Sequence, residues 1–384
     1  SGADGLVAIN TVGPIVHIDP VSGTPILQNK LGGKGGCSGR QVFPNALEAV
    51  KAIRLACGDD IPLIGMGGVS EGREAALLIE AGADAVGIGS ALGTVDQRTW
   101  PAYLASVKAE AQALLQSTGK IVVPSSSSFL SAERQMAYEK HVVTAFKQYG
   151  KDTVLITLDG KLDCKAGQFA FLWLPMIGEK PFSVAHNDPL TFIIKKRGPF
   201  SEALCNLSVG SVLYVRGLYG AQLENNPTKQ ALLIAGGTGV AVLPSLASQL
   251  KEQGTQMTIL IGTSEEVSGK ALLEDELGAF GSFTCIADKG RPGRVLDLLD
   301  TIALDPGMAC YLVGPEIFMA IASRKLLGRG ITEENLYLSM ERMTLCGIGM
   351  CGECACGDRL TCRWGTFMRY DFLKREASEL LAYD

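Results

Sequence analysis

The sequence predicts a multidomain chain: βα units of a parallel sheet, then a small antiparallel β-barrel, then an α/β nucleotide-binding domain and a short cysteine-rich domain. Three observations predict this order. Apolar runs alternate with helical patterns both before residue 118 and after residue 227. Closely spaced strands with Gly, Asp and Pro turns lie between these regions. Five of the 11 cysteines fall within residues 345–362.

Composition argues against several classes of function. The chain has 384 residues, with 35 Lys and Arg against 40 Asp and Glu, so it carries no electrostatic footprint for nucleic acid. It lacks an uninterrupted apolar run of about 18 residues, so we expect no membrane span. Free cysteines without a secretory signal favour a reducing, cytoplasmic location.

The cysteine-rich segment carries the most specific motif. Its cysteines are spaced C-x4-C-x2-C-x7-C, and the first three match plant-type [2Fe-2S] ligation. Glycines between them permit positive φ angles and a close approach of the backbone to inorganic sulfur. The candidate metal ligands are Cys346, Cys351, Cys354 and Cys362.

Two other interpretations of these cysteines are weaker. A zinc ribbon requires two C-x2-C pairs, and the segment has one. A disulfide framework is typical of secreted chains, and the other six cysteines are scattered. We interpret Cys356 as a spare thiol, because the plant-type pattern places its fourth ligand farther along the chain.

The N-terminal part predicts parallel strands. Residues 6–10 (LVAIN), 61–64 (IPLI) and 85–88 (AVGI) are short apolar runs, and helical patterns over residues 46–57 and 74–81 separate them. Glycine-rich loops follow the second and third strands. Such loops suit a phosphate site built from backbone N–H groups, although they are also ordinary turns. The candidates for this phosphate site are Gly67, Gly68, Gly89 and Ser90.

These segments resemble a known family. GADGLVAINT, CSG, IGMGGVSEG and GADAVGIGSAL resemble the last three strands of class 1 dihydroorotate dehydrogenases, which are FMN enzymes with a (β/α)8 (TIM) barrel. The resemblance covers about residues 2–115. It implies that Asn10 and Thr11 stand where the family holds the pyrimidine substrate, dihydroorotate or orotate. The FMN contacts that it implies are Gly39, Gly67, Gly68, Gly89 and Ser90.

The same resemblance predicts a missing part. Five strands of that barrel and the family's catalytic cysteine have no counterpart, and Cys37 lies on a different loop, so no catalytic residue is assigned. The βα units present cannot close a barrel. We expect the other half on a partner polypeptide or on a longer chain, which the start at Ser1 favours. Alternatively, the remnant is a docking element that binds no FMN.

The middle of the chain predicts the antiparallel barrel. Alternating strands begin at His141. Residues 180–183 (KPFS) combine a cation, a turn, an aromatic ring and a hydroxyl group, and residues 198–201 (GPFS) open a helix where a pyrophosphate could bind. Each motif alone is commonplace, so their order and distance carry the prediction.

Two later turns predict a nucleotide site. Residues 236–239 (GGTG) join a buried strand to a helix, where free N–H groups suit the phosphates of a dinucleotide. Residues 314–316 (GPE) follow a later strand, where a nicotinamide could meet a flavin. Ser264, Glu265 and Glu266 follow the strand between them. Because acids repel a 2′-phosphate, they favour NAD over NADP.

Taken in order, KPFS, GPFS, RGLYG, AGGTGVA, GPE and SMERMTLCGIGMCGEC resemble the electron-transfer subunit of NAD-dependent (class 1B) dihydroorotate dehydrogenase. That subunit belongs to the ferredoxin-NADP reductase superfamily and carries FAD and one [2Fe-2S] cluster. The resemblance covers about residues 139–384. The FAD contacts that it implies are Lys180, Pro181, Phe182, Ser183, Gly198, Pro199, Phe200 and Ser201. The implied NAD contacts are Gly236, Gly237, Thr238, Gly239, Gly314, Pro315 and Glu316, and the four cysteines named above hold the cluster.

Two residues depart from the family pattern. Lys180 replaces the usual arginine, so a point charge stands where a planar fork normally binds phosphate. Val313 replaces the cysteine that is common before Gly-Pro, which puts the nicotinamide contact in doubt.

The resemblances together predict a flavin and iron–sulfur oxidoreductase of pyrimidine biosynthesis that passes electrons between NAD(H) and FMN through FAD and [2Fe-2S]. We expect it to work in an oligomer. The alternative is an electron-transfer partner of another FMN-barrel reductase, with the barrel remnant only a docking element. The predicted domains are the C-terminal part of an FMN-binding TIM barrel (1–118), a linker (119–138), an antiparallel FAD-binding β-barrel (139–226), an NAD-binding α/β domain (227–335) and a small [2Fe-2S] domain (336–384).

Overall fold

The computed structural model describes residues 2–27, 29–116, 126–130, 137–263, 267, 270–287 and 293–382. The chain divides into two compact units. The first comprises Ser1–Ala137 and Ile348–Met350, and the second comprises Tyr138–Gly347 and Cys351–Asp384. Most of the predicted linker, residues 119–138, lies outside the described residues, so its boundaries stay a prediction.

The first unit contains the predicted parallel strands. Within its described residues, three parallel strands run in the order β1-β4-β5, and β2 and β3 form an antiparallel pair. The helices follow the strands as expected for βα units. The elements are β1 (Leu6–Ala8), β2 (Val12–Val16), β3 (Lys34–Cys37), α1 (Phe43–Cys57), β4 (Leu63–Met66), α2 (Gly72–Glu80), β5 (Ala85–Gly87) and α3 (Trp100–Gln116).

The two faces of this small sheet differ in burial. Ala8 and Leu63 pack into one hydrophobic core with residues of the helices. On the opposite face, Val7 is 62% exposed and its register partner Ile64 is 40% exposed. Side chains alternate between the faces of a strand, so one face of the sheet is covered and the other presents apolar side chains to solvent.

Residues 126–130, within the predicted linker, pack against α3. Ser126 is buried, and both its backbone N–H and its hydroxyl group donate to Glu110 Oε2, at 2.9 and 2.8 Å. Gly72 N–H, at the start of α2, donates to the same oxygen at 3.2 Å. The buried carboxylate therefore connects α2, α3 and residues 126–130.

The second unit begins with an antiparallel sheet of seven described strands, in the order β10-β11-β7-β6-β12-β8-β9. A single residue, Ser183, separates the two edge strands β9 and β10 in sequence. The sheet must therefore curve until its edges meet, which forms a barrel, as predicted. The elements are β6 (Glu139–Tyr149), β7 (Thr153–Leu158), β8 (Phe169–Leu174), β9 (Gly178–Phe182), β10 (Val184–Asn187), β11 (Leu190–Lys195), α4 (Pro199–Cys205) and β12 (Val212–Tyr219).

Apolar side chains at alternate positions along the strands fill the interior of this barrel. Val154, Ile156 and Leu158 of β7 are fully buried and pack into one core with Ala170 and Leu172 of β8. Strand β6 pairs with β12 through its first residues and with β7 from Val143 onward, so it turns the corner between the two halves of the barrel.

An α/β sheet follows, with the order β15-β14-β13-β16-β17-β20 among the described strands, where β20 is Phe367–Arg369. The first five strands in this order are parallel, and β20 is antiparallel. Leu233 and Leu232 are both fully buried but belong to cores on opposite faces, which is typical of a parallel sheet between helices. The elements are β13 (Gln230–Gly236), α5 (Leu243–Glu252), β14 (Gln256–Thr263), α6 (Glu274–Gly278), β15 (Ser282–Ala287), β16 (Ala309–Val313), α7 (Glu316–Gly328) and β17 (Leu336–Ser339).

The predicted cluster domain, residues 336–384, contributes to this sheet through β17 and the last strand, β20. The segment between them contains a two-stranded hairpin next to the cysteines. Among the described residues of the whole chain, no helix is both long and apolar enough to span a membrane. The remaining elements are β18 (Ala355–Cys356), β19 (Arg359–Leu360), α8 (Thr361–Trp364), β20 (Phe367–Arg369) and α9 (Tyr370–Glu376).

Candidate functional site

A cavity of about 420 Å³ lies in the second unit. Three parts of the sequence meet there. The barrel contributes the predicted segment 180–183, the α/β domain contributes Thr238 and Ala241, and the C-terminal part contributes residues 340–344 with Thr361. The volume is in the range of small-molecule sites, and the wall combines aromatic rings with a few charged groups.

Four cations line this cavity: Lys180, Lys195, Arg197 and Arg342. Lys180 belongs to a predicted motif, whereas Lys195 and Arg197 were missed. The run Lys195-Lys196-Arg197 directly before GPFS is the signal that could have identified them. Cations that converge on one cavity favour an anionic ligand such as a phosphate.

The second predicted flavin motif fixes the turn after Arg197. The Ser201 hydroxyl oxygen accepts hydrogen bonds from Arg197 N–H at 2.9 Å and from Gly198 N–H at 3.1 Å, at the start of α4. Among the described residues, Arg197 reaches the cavity wall, whereas residues 198–201 do not line it. The motif therefore positions a cation of the site.

Glu341 was also missed by sequence reasoning. Glu341 lines the cavity and is also exposed to solvent. Desolvation raises the pKa of the Glu341 carboxyl group, and the nearby charge of Arg197 opposes this shift. A carboxyl group with a raised pKa thus faces a cationic wall.

The next residue connects two parts of the predicted site. Arg342 Nη1 lies 3.2 Å from the carboxylate of Glu316 in the GPE motif. Arg342 Nε donates to the carbonyl oxygen of Ala355, at 3.2 Å, next to the cysteine Cys354. Because Arg342 also lines the cavity, one side chain contacts the predicted nucleotide turn and the cysteine segment.

The two predicted nucleotide turns lie side by side. Ala235 and Val313 are register partners at the carboxyl ends of β13 and β16, where the strand order reverses. A Cβ atom on Gly239 would lie 2.9 Å from Val313 Cγ1 and 3.1 Å from Val313 O, so close packing requires glycine there. Dinucleotides bind at such a reversal point. Residues 264–266, on which the preference for NAD over NADP depends, lie outside the described residues.

Three of the four predicted metal-ligating thiols approach one another. The Cys362 side chain is hydrogen-bonded to those of Cys346 and Cys354, and these interactions raise the pKa of Cys362. The hydrogen bond from Cys362 is the largest of the effects that lower the pKa of Cys354 to about 6. Cys351 is exposed, whereas Cys356 packs into the core beneath the α/β sheet. Burial raises the pKa of Cys356 to about 11.

The loop that carries these thiols depends on glycine. Gly347, Gly349 and Gly352 have φ angles of 78°, 77° and 76°, which are left-handed conformations that favour glycine. A preformed metal site requires at least three His, Cys, Asp or Glu side chains placed to hold one ion. Within the described ranges, no group of side chains meets this requirement. The assignment of the four cysteines to a metal therefore stays a prediction.

A buried arginine supports the start of this loop. Arg216 of β12 is 2% exposed and forms an ion pair with Glu179 of β9, with 2.5 Å between Nε and Oε2. Burial opposes its charge, but the hydrogen bond with Glu179 and neighbouring groups raise the pKa of Arg216 overall. Arg216 also donates to the carbonyl oxygens of Cys346 and Leu345, at 2.9 and 3.3 Å. It opens the motif RGLYG, which was recognised, but the sequence alone assigned it no role because nothing local indicates which loop it contacts.

The predicted FMN and substrate residues lie at one edge of the first unit's sheet. Asn10 follows β1, Gly67 and Gly68 follow β4, and Gly89 follows β5, so the parallel strands bring them to the same end. A Cβ atom on Gly68 would lie 2.9 Å from the carbonyl oxygen of Gly39, which places these two predicted residues together.

Two further predicted residues lie next to this edge. The Asn10 side-chain oxygen accepts a hydrogen bond from Thr11 N–H at 2.7 Å. Ser90 begins a 3-10 helix, Ser90–Thr94, directly after Gly89. The FMN and substrate roles of all these residues stay predictions.

Comparison with known proteins identifies the relationships of both units. The family model for dihydroorotate dehydrogenase matches residues 1–109. The electron transfer subunit of dihydroorotate dehydrogenase B (NAD(+)) from Pyrococcus abyssi is 34% identical over 229 residues, which cover 59% of this chain and 88% of that protein. The corresponding subunit from Methanocaldococcus jannaschii is 31% identical over 238 residues, which cover 58% and 87%. The chain belongs to the family of dihydroorotate dehydrogenase B (NAD(+)) electron transfer subunits. It is therefore an oxidoreductase, as the resemblance predicts.

Structural comparison agrees with the fold of this electron transfer subunit. A chain of the NADH-dependent reduced ferredoxin-NADP oxidoreductase aligns with a TM-score of 0.53 and 22% identity. The alignment covers 62% of this chain and 93% of that chain. The ferredoxin reductase fold, with its β-sheet and α/β domains, is thus confirmed for this subunit.

Proposed function

We propose that this chain passes electrons between NAD(H) and FMN, through FAD and a [2Fe-2S] cluster, in the oxidation of dihydroorotate to orotate. The observation that carries the proposal is the cavity of the second unit. It brings together residues 180–183, Thr238 of the glycine-rich turn, and Thr361 beside the cysteine Cys362. These are the segments that the predicted FAD, NAD and cluster sites require.

The cavity suits FAD in its charge and its shape. Lys180 and Arg197 would neutralise the pyrophosphate. Phe182 offers an aromatic ring, and Ser183 offers a hydroxyl group at the point where the edge strands β9 and β10 meet. Of the implied FAD contacts, residues 198–201 would act by orienting Arg197. When bound, FAD exchanges a hydride with NAD(H) and transfers electrons singly to an iron–sulfur centre.

The paired turns at the ends of β13 and β16 suit NAD(H). Residues 236–239 would receive the phosphates on backbone N–H groups, and Gly237, with a φ angle of 60°, adopts the conformation that such a turn needs. Residues 314–316 border the same crevice, where the Arg342–Glu316 ion pair would hold the turn in place. We propose NAD over NADP from the acids at residues 265 and 266.

The cysteine loop suits an iron–sulfur cluster in the chemistry of its donors. Cys346, Cys354 and Cys362 already approach one another, and the lowered pKa of Cys354 favours the thiolate form that binds iron. The positive φ angles of the glycines leave room for a cluster beside the backbone. Cys351 would complete the set of four, while Cys356 stays in the core.

The first unit suits the role of a partial (β/α)8 barrel. Its exposed row of Val7 and Ile64 is the face that a closed barrel would bury, so the unit requires further strands. We propose that these strands, with the catalytic base, come from a catalytic partner segment. FMN would then lie at the edge marked by Gly68 and Ser90. A cytoplasmic location and an oligomeric assembly belong to the same proposal.

Cofactor analysis of the purified chain tests the proposal. We expect FAD and two irons per chain, with bleaching of the flavin absorbance when NADH is added without oxygen. FMN should join the assembly once the missing strands are supplied. FAD and iron without FMN in that assembly would favour the alternative in which the first unit only docks another reductase. Zinc in place of iron, or a preparation without flavin, would overturn the electron-transfer pathway.

A further inference from the structure

The buried ion pair between Arg216 and Glu179 is oriented toward the cysteine loop. Nε and Nη2 of Arg216 donate to the two carboxylate oxygens of Glu179, at 2.5 and 2.7 Å, and form one edge of the guanidinium fork. The other edge donates to Tyr219 Oη at 2.7 Å and to Cys346 O at 2.9 Å. Nη2 also donates to Leu345 O at 3.3 Å.

This arrangement uses each of the five N–H donors of the guanidinium group. The cation also lies over an aromatic ring, with 3.9 Å between Arg216 Cζ and the ring centroid of Phe171. Phe171 and Tyr219, which both contact Arg216, also form the surface on which Gly347 packs. A Cβ atom on Gly347 would lie 3.1 Å from the Phe171 ring and 3.0 Å from the Tyr219 ring. The cation and the first turn of the cysteine loop therefore share one rigid support.

We infer that Arg216 is a positioning residue that raises the reduction potential of the iron–sulfur cluster, and that Glu179 partly opposes it. This inference rests on the proposed function, since it assigns the cluster to Cys346 and its partner cysteines. It goes further because it identifies residues other than the cysteine ligands that control the reduction potential of the cluster.

Electrostatics determines the direction in which Arg216 changes the reduction potential. Reduction adds one electron to the cluster without forming or breaking a bond to the protein, so the reduced cluster is more negative by one charge. A buried cation next to the backbone of Cys346 stabilises this form more than the oxidised form. The Glu179 carboxylate lies on the far edge of the guanidinium fork, so it weakens the effect without cancelling it.

Redox titration of the holo-chain, monitored by electron paramagnetic resonance, tests this inference. At a fixed ambient potential, Arg216→Met should lower the ratio of reduced to oxidised cluster about tenfold, which is a shift of about 59 mV for one electron. Glu179→Gln should raise the same ratio, because it removes the opposing charge. Arg216→Lys keeps the charge but loses the fork, so its ratio should lie between those of Arg216→Met and wild type.

Opposite changes of the reduced-to-oxidised ratio in the Arg216 and Glu179 variants distinguish an electrostatic role from support of the fold alone. The matched control is Lys196→Met, which removes a cation from an exposed ion pair with Glu202 and should not change the ratio. If Arg216→Met fails to retain iron, the Glu179→Gln measurement still decides. Unchanged ratios in Glu179→Gln, or shifts of both partners in one direction, would overturn the inference. A wild-type chain without an iron–sulfur signal would instead overturn the proposed function.

Discussion

The two units differ in how much of their apolar surface they cover for themselves. In the second unit, neighbouring residues of β13, such as Leu232 and Leu233, are fully buried on opposite faces of the sheet. In the first unit, β4 buries Leu63 but leaves Ile64 40% exposed. A parallel sheet is normally covered on both faces. The parallel sheet of the second unit is therefore covered on both faces, whereas the sheet of the first unit presents one apolar face to solvent.

The candidate sites differ in the same way. Cations and a carboxyl group line the cavity of the second unit, and three thiols approach one another in the same unit. The first unit supplies glycine turns at the open edge of three strands, and its candidate substrate residue Asn10 is hydrogen-bonded to the next residue. The difference teaches that the second unit brings its candidate site residues together by itself, whereas the candidate residues of the first unit lie at an open edge of its sheet.

The largest expected effect concerns the thiols. Cys354→Ser should abolish iron binding, since Cys354 combines a lowered pKa with a hydrogen bond to Cys362. FAD should remain bound, because the cation-lined wall is unaffected. Iron assay and visible absorbance measure both. The matched control is Cys356→Ala, which changes a buried thiol of the same segment and should retain iron. Equal loss in both variants would contradict a site that excludes Cys356.

The next largest effect, about tenfold on the dissociation constant of FAD, is expected when a cation of the cavity wall is removed. Arg197→Met should weaken FAD binding about tenfold or more, because it removes a charge-assisted contact to phosphate. Lys196→Met is the control, since Lys196 pairs with Glu202 and does not line the cavity. Titration of the flavin-free chain with FAD, followed by flavin fluorescence, provides the dissociation constants. Equal weakening by both variants would show that net charge matters and the cavity wall does not.

A smaller effect is expected at Glu341. Its carboxyl group has a pKa raised by desolvation, so the folded state binds the proton more tightly than the unfolded chain, whose value is near 4.5. Glu341 therefore costs stability as pH rises from about 4.5 through its raised pKa. Glu341→Gln should raise the melting temperature of the flavin-free chain by about 2 °C at most at pH 7 to 8. Below about pH 4 the two proteins should melt alike. A pH-independent difference would exclude this electrostatic cause.

The smallest effect is expected on the open face of the first unit. Ile64→Ser should change the stability of this chain by less than about 0.5 kcal/mol, because the side chain already faces solvent. Its neighbour Leu63 is 1% exposed, so Leu63→Ala should cost about 2 to 5 kcal/mol. Denaturant unfolding measures both. A large cost for Ile64→Ser in the chain alone would mean that the face is already covered, which would remove the main argument for missing strands.

Much of the local structure was predictable. The runs of alternating and continuous apolar residues predicted the barrel strands and the parallel strands, because side-chain periodicity directly reflects which faces are buried. The turns at residues 236–239 and 314–316 were predictable from glycine, since few other residues adopt those backbone conformations. The Ser126 contact with buried Glu110 was not predictable, because no local pattern marks a residue that packs against a distant helix.

The sequence by itself determined the order of domains, the spacing of the cysteines and the glycine turns, because each depends on residues close together in the chain. The tertiary structure decided which side chains meet across long separations: Arg197 with Glu341, Arg216 with the backbone of Cys346, and Cys356 with the core rather than with the other thiols. These contacts depend on strand order and on the curvature that closes the barrel. The short-range spacing of residues does not encode either property.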